Sequence, residues 1–349
     1  MVMHVHYHVK ETPCPATISD PPDVLCFLMT YVLLTGAGFT HNWGGWLARE
    51  ISGDLLGRVQ AEPALRLRVQ QSDSFESALE TLQRDADSGD AEAQRQYANL
   101  QRAVAASFRA MNIALANRID FNFSNDRKFS VNGFLARFDA IYTLNQDLLL
   151  EFHYDPSLED TRRPRWGGRF FPGIGPYLNR SPFKVDLVDQ QRKVLDTVTE
   201  ASNCQPIYKL HGSTDWIDGS GELFVVGGGK ESVIKRKPIL VAYFAEFARR
   251  LRRPGVRLMI IGYGFADAHV NQLLVDARED NPSLSVFFVH PEGRDAIHCG
   301  VRPGNRVLPA EYVPPLGYLA CVGESRRALS STLGGDELEF EKLLRFFQP

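Results

Sequence analysis

What the chain has little of narrows it first. Its five cysteines, Cys14, Cys26, Cys204, Cys299 and Cys321, are odd in number, widely scattered and never in a CxxC pair. That spacing excludes a disulfide framework and a four-cysteine zinc ribbon, and it points to a reducing compartment, the cytoplasm. There is no charge excess either: 39 Lys plus Arg stand against 42 Asp plus Glu, a net −3, which argues against a protein whose main business is coating nucleic acid. The most apolar stretch near the N-terminus, Val24 to Leu34, is interrupted by Thr30 and is about half as long as a membrane-spanning helix requires. Lys10 is the only Lys or Arg ahead of it, so the basic start of a signal peptide is missing. What is there is ordinary globular composition, 44% hydrophobic over 349 residues. That is enough apolar surface for one large core or two domains without a disulfide or a structural metal.

Along the chain, residues 1–28 read as a terminal arm outside the domain. His4, His6 and His8 alternate there ahead of Pro13, Pro15, Pro21 and Pro22, a pattern more often incidental than metal-binding. Tyr31 to Thr35 is a β-branched and aliphatic run that stops at Gly36, the mark of a buried parallel strand feeding a helix. Trp46 to Val59 fits that helix. From Phe75 to Ile119 the pattern changes: Tyr97, Leu100, Val104, Phe108, Met111 and Leu115 recur at spacings of three and four, one helical stripe expected to pack the core of a helical insertion over about 58–130. Further strands are expected at Phe138–Thr143, Ile207–Leu210, Val256–Ile261 and Ser285–Val289, with a helix over Tyr243–Arg253 and another starting at an Asp267 N-cap. Gly219 to Gly229 reads as a glycine-rich hairpin, and Asp336 to Phe347 as a closing helix that docks Leu338, Leu343, Leu344 and Phe347. Asp155 to Asp186 is rich in Pro, Gly and Arg, with Trp166, Phe170 and Phe171 among its arginines; it reads as a lid or an assembly contact. The expected architecture is α/β, a Rossmann-like doubly wound parallel sheet over 29–290 with the helical insertion, and a C-terminal extension, 291–349, packing on the same domain.

Ligands of such sheets sit at the carboxyl ends of the strands, so the residues there carry the chemistry. The first strand delivers Gly36-Ala37-Gly38-Phe39-Thr40, where glycines admit a phosphate to bare backbone or simply make a tight turn. The second delivers Thr143-Leu144-Asn145-Gln146-Asp147, residues that cap helices as well as bind ligands. The third delivers His211 before Gly212, where a general base belongs. The fourth delivers Gly262-Tyr263-Gly264-Phe265, with Asp267, His269 and Asn271 just beyond, readable as a cap and packed helix residues.

The order and spacing of these clusters, GAGFT, TLNQD, KLHG and IGYGF, resembles the sirtuin (silent information regulator) superfamily over roughly Tyr31 to His290. The Asn42–Trp46 run and the Lys209–Trp216 block look like the prokaryotic sirtuin-like proteins of anti-phage defence, which destroy NAD. The resemblance implies that Gly36, Ala37, Gly38, Phe39 and Thr40 hold the NAD diphosphate and that Gly262, Tyr263 and Gly264 hold the adenosine half. It implies that Asn145 positions water or the nicotinamide ribose, that His211 is the general base, and that Asp147 orients its neighbours or holds the ribose. The zinc module of deacylase sirtuins, two CxxC pairs, is missing, as is their GIPDFR segment; this argues against peptide deacylation, and no metal is expected. The implied activity is an NAD glycohydrolase that yields nicotinamide and ADP-ribose, with NAD as substrate, in an abortive-infection system. Implied partners are copies of the chain itself and a HerA-type ATPase or a short Argonaute, with no membrane. The competing readings are a deacylase or ADP-ribosyltransferase, a metal-dependent nuclease subunit with dispersed Asp139, Asp147 and Asp215, and a nucleotide-binding sensor. The last would not need both Asn145 and His211.

Overall fold

The computed structural model describes residues 29–158, 164–174, 185–186, 203–218, 221–227, 229–301 and 320–348. The readings made for the N-terminal arm, including Val24 to Leu28, and for residues 159–163 and 175–184 of the Asp155–Asp186 segment lie outside them. The strands are β1 Thr30–Thr35, β2 Ala140–Thr143, β3 Gly168–Phe170, β4 Val185–Asp186, β5 Cys204–Lys209, β6 Gly212–Asp218, β7 Gly221–Phe224, β8 Val256–Ile261, β9 Ser285–Val289 and β10 Cys321–Ser325. Seven of them form one sheet in the order β10-β9-β8-β1-β2-β5-β3, and every pairing within it is parallel. Leaving aside the edge strand β3, the order is that of a Rossmann fold: the chain builds outward from β1 through β2 to β5, then returns to the other side of β1 with β8, β9 and β10. Val32, Leu33 and Leu34 are fully buried, as are Leu258 and Met259. Such continuous apolar runs are what strands covered on both faces require.

The helix Ala48–Arg58 and those of the insertion, Pro63–Gln71, Phe75–Asp87 and Ala91–Ala116, pack against one another over the carboxyl ends of the strands. The stretch from Phe75 to Ile119 is two helices, and the whole stripe lies on the second. Gly89 turns the chain at φ +96°, and the Asp90 carboxylate starts the second helix by accepting the N–H groups of Glu92 and Ala93. Leu100, Val104, Phe108, Met111 and Leu115 of the stripe are buried as expected. The tryptophan and glycine run fastens the insertion to the sheet. Trp43 stacks on Phe121 at 5.1 Å and donates its indole N–H to the Phe121 carbonyl at 2.9 Å.

Four other sequence expectations are corrected. The hairpin begins earlier than Gly219: β6 opens at Gly212, which sits at φ +74° with no room for a side chain against the Leu223 carbonyl, and pairs antiparallel with β7. The helix expected to begin at Tyr243 begins at Pro238, a residue suited to a first turn. Within Asp155–Asp186, β3 pairs with β5, and its neighbours dock on the body: Trp166 donates to the Ala136 carbonyl at 2.9 Å, Arg165 binds Asp139, and Arg169 reaches the Glu151 and Tyr154 carbonyls. At the C-terminus β10 was not foreseen, and the helix Glu337–Arg345 turns Phe340 and Leu343 inward while Leu338 is 79% exposed. Asp336, accepting from Glu339 N–H, fixes that phase. No helix among the described residues is long and apolar enough to cross a membrane.

Candidate functional site

The carboxyl edge of the sheet and the helical insertion enclose a cavity of about 470 Å³, within the usual range for a small-molecule site. Successive strands each bring a residue to it: Gly36 after β1, Asn145 after β2, His211 after β5, Gly262 after β8, His290 after β9 and Arg327 after β10. The insertion and the segment before it supply the facing wall with Trp46, Ile51, Glu76, Phe108 and Met111. The chain's progression across the sheet changes direction between β1 and β8, and the loops that follow both strands line the cavity.

The two glycine loops interlock backbone to backbone. Gly36 N–H donates to the Ile261 carbonyl at 3.0 Å and Gly38 N–H to the Gly262 carbonyl at 2.9 Å. A Cβ on Gly36 would lie 2.7 Å from the Gly262 oxygen, and one on Gly262, which sits at φ +64°, 2.3 Å from the Phe39 nitrogen. The need for glycine at these positions therefore comes first from the loops themselves. Gly264 is different: exposed, with open space where a Cβ would stand. The side chains of Phe39 and Thr40 turn into the core instead of the cavity, Phe39 onto Trp43 at 5.0 Å.

Asn145 is buried and spends its amide N–H groups on the Gly36 carbonyl at 3.0 Å and the Thr40 hydroxyl at 2.8 Å. A carbonyl can only accept, so the amide orientation is fixed. Thr40 in turn bonds to the Asp147 carboxylate, and Asp147 Oδ1 accepts the Leu149 N–H at 3.0 Å, just ahead of the helix Leu149–His153. Beneath this chain lies Lys209, almost fully buried. Its Nζ donates to the Asp147 carbonyl at 2.5 Å, Glu151 Oε1 at 2.6 Å and Ser213 Oγ at 2.8 Å, three acceptors for the three donors of an ammonium. Ser213 passes its own proton to Asp215 Oδ1 at 2.6 Å. Burial pushes the Glu151 carboxyl up to about 7 despite Lys209, with Asp215 adding to the rise. Burial likewise raises Asp147 against the opposing pull of Lys209, Leu149 N–H and Thr40.

His211 stands at the mouth of β5, 2% exposed. It bonds to the Leu144 carbonyl, which takes the Nδ1 proton and leaves a lone pair on Nε2. That nitrogen faces His269 Nε2 at 3.0 Å, so His269 is the donor in the pair. Burial, helped by Lys230 and His269 and opposed by Asp267, drives His211 down to about 3. The imidazole is neutral at any ordinary pH. Asp267 starts the helix Ala268–Asp280 but makes no side-chain cap. Its Oδ1 instead binds Lys230 Nζ at 2.8 Å, and Lys230 also holds Glu76 Oε1 at 2.7 Å. Burial works against the Asp267 charge, but Lys230 outweighs it and holds the carboxyl near 2. One ring nitrogen each of His211 and His269 and a carboxylate oxygen of Asp267 all lie within 4.8 Å of one another.

Residues 139–300 match the family model of the SIR2-like domain. The matched stretch carries Asn145, Asp147, His211 and the Gly262 loop, while the Gly36–Thr40 loop and the insertion precede it. No curated protein matches the chain. At the Gly262 loop, Tyr263 donates its hydroxyl to Asn271 Oδ1 at 2.9 Å, and Asn271 Nδ2 donates to the Phe265 carbonyl at 2.9 Å. Phe265, at φ +55°, is the one non-glycine residue with a left-handed backbone among those described, so Asn271 clamps a strained turn. Lys230, His290 and Arg327 escaped the sequence reading. The strand-end rule that found His211 applies equally to His290, but Lys230 and Arg327 carry no local signal. Arg249 and Arg250 pair with Glu246, and Arg252 with Asp280.

Proposed function

We propose that the chain is a sirtuin-like NAD glycohydrolase, cleaving NAD to nicotinamide and ADP-ribose, and that it acts by depleting NAD as the effector of an anti-phage, abortive-infection system. The observation that carries this reading is the meeting of Asn145 and a neutral His211, from separate strand ends, in one cavity floored by the interlocked glycine loops. With its N–H groups committed, Asn145 presents only Oδ1, an acceptor suited to a water proton or a ribose hydroxyl. The nicotinamide of NAD is a cationic leaving group on an anomeric carbon, so cleavage calls for orientation and electrostatic support more than for a strong nucleophile. The glycosidic C–N bond breaks with its electron pair leaving on nicotinamide. Water bonds to the anomeric carbon, and its proton passes to His211 Nε2, which lets go of the His269 N–H to accept it. Gly264 and the backbone of Gly36–Gly38 supply bare surface for the rest of the dinucleotide. Arg327, which stands 4.0 Å from the Asp336 carboxylate, is the cation offered to the diphosphate.

Cys204 is the only cysteine between the TLNQD turn and the last glycine loop, which favours hydrolysis over the deacylase alternative. The proposal includes assembly with further copies of the chain and with a sensor or motor partner, a HerA-type ATPase or a short Argonaute. The test is to incubate the full chain with NAD, alone and with its neighbour-encoded partner, and to quantify nicotinamide and ADP-ribose. Turnover is expected in the assembled state and absent from Asn145→Ala and His211→Ala. Turnover unchanged in those variants refutes the assigned mechanism, and no turnover in the complex favours a nucleotide sensor.

A further inference from the structure

We propose that His211, His269 and Asp267 form a binding site for one divalent transition-metal ion of the zinc class, and that the bound ion switches hydrolysis off by occupying the His211 nitrogen. The second half rests on the reading of His211 as the base; the site itself does not.

The geometry is that of converging ligands. Two imidazole nitrogens bound to one tetrahedral zinc at about 2.0–2.1 Å stand about 3.3 Å apart, and the two Nε2 atoms here are 3.0 Å apart. A carboxylate oxygen of Asp267 lies within 4.8 Å of a ring nitrogen of each histidine, near enough to close onto an ion by a small side-chain movement. Two histidines and one carboxylate with a remaining position open to a cavity is a ligand set that zinc accepts. The His211 ring is already oriented for it, since the Leu144 carbonyl holds its other nitrogen as the donor, the support that metal-binding histidines commonly have. Coordination needs no change in charge on either ring: the proton shared between the two Nε2 atoms moves through solvent to Nδ1 of His269.

Lys230 is the group that opposes a cation here. It sits 2.8 Å from Asp267 Oδ1, but Glu76 Oε1 at 2.7 Å gives it a second partner. Asp267 can therefore offer its other oxygen to the ion while Lys230 stays paired. The adjacent cation weakens the site, so micromolar rather than nanomolar affinity is expected. Metal and catalysis exclude each other, because the lone pair that binds the ion is the one that would take the proton.

The test uses the full chain, stripped with chelator and titrated with Co²⁺ while visible absorption is followed, with Zn²⁺ then added as competitor. A parallel chain with His4, His6 and His8 all replaced by serine removes any contribution from the alternating histidines of the arm. One Co²⁺ per chain is expected in both. His211→Gln and His269→Gln, checked by thermal unfolding for intact structure, should each weaken binding at least tenfold. In the active assembly, Zn²⁺ should inhibit NAD cleavage over the concentration range in which it displaces Co²⁺, and His269→Gln should abolish that inhibition. Absence of saturable Co²⁺ binding, or binding unaltered in both glutamine variants, overturns the site. Saturable binding lost in the variants but with Zn²⁺-insensitive cleavage overturns the switch alone. Binding without any NAD cleavage leaves the metal site standing and removes the hydrolase reading.

Discussion

Replacing Lys209 by methionine removes the cation at the centre of the buried network that carries Asp147 and supports the Asn145 turn. Its ammonium satisfies the Asp147 carbonyl, Glu151 and Ser213 at once, and the ion pair with Glu151 is 1% and 5% exposed on its two sides. Breaking such a pair from one side costs about 3–5 kcal/mol, because the remaining charge is left buried without compensation. For a chain of this size that is a fall in melting temperature of roughly 4–7 °C. The loss also has a defined pH dependence. Burial already raises the Glu151 carboxyl to about 7 with Lys209 beside it, and without Lys209 it rises further. A group whose folded pKa lies above its unfolded value stabilises fully below the unfolded value and loses that contribution as pH climbs to the folded one. Glu151 in the wild type stops losing stability near pH 7, whereas in Lys209→Met the loss continues above pH 7 at about 1.4 kcal/mol per unit. Urea unfolding from pH 6 to 9 reads this directly. Adding Glu151→Leu to Lys209→Met should recover most of the loss and flatten the pH dependence. A single variant as stable as wild type, or one whose deficit does not grow with pH, refutes the placing of a buried ion pair beneath the site.

Other outcomes follow from the glycine loops and the two polar strand ends. Gly262→Ala should unfold or fail to accumulate, because its Cβ would strike the Phe39 nitrogen at a left-handed backbone position, while Gly264→Ala, opening into free space, should fold normally; in the second, KM for NAD should rise about tenfold, ~1.4 kcal/mol of binding. With His211 lowered to about 3, kcat/KM should show no inflection near 6.5 on its acid side down to about pH 5. The unfolded chain takes up the His211 proton first, so that histidine's contribution to stability should decline as pH falls from about 6.5 towards 3, by at most about 1.4 kcal/mol per unit. Asn145→Asp should lose turnover and about 1–3 kcal/mol of stability by calorimetry, since it sets a carboxylate oxygen against the Gly36 carbonyl.

The parallel strands were legible because each is a short run of apolar residues that ends at a glycine or polar turn. Val256–Ile261 and Ser285–Val289 were read to the residue, and the residues after β2 and β5 were recognisable as site candidates by that same rule. β10 was not, since Cys-Val-Gly-Glu-Ser is barely apolar and Gly323 is there to let the Phe287 ring lie against it. What local pattern hides is partnership across the chain. Nothing near Lys209 announces Glu151, 58 positions away, and nothing near Lys230 announces Glu76. Asp267 looked like a helix cap because it stands where caps stand, but a buried lysine is the stronger partner. Thr40 belonged to the candidate loop, yet its hydroxyl serves Asn145 and Asp147 from inside the core.

The central claim, that Asn145 and His211 direct water onto the anomeric carbon of bound NAD, is tested most directly by NAD cleavage in ¹⁸O-labelled water. The assembled wild type should release nicotinamide and ADP-ribose in equal amounts, with one labelled oxygen on the ribose. His211→Ala should bind NAD with similar affinity and release neither product. Equal rates in the variant, or ADP-ribose without the label, would contradict the account.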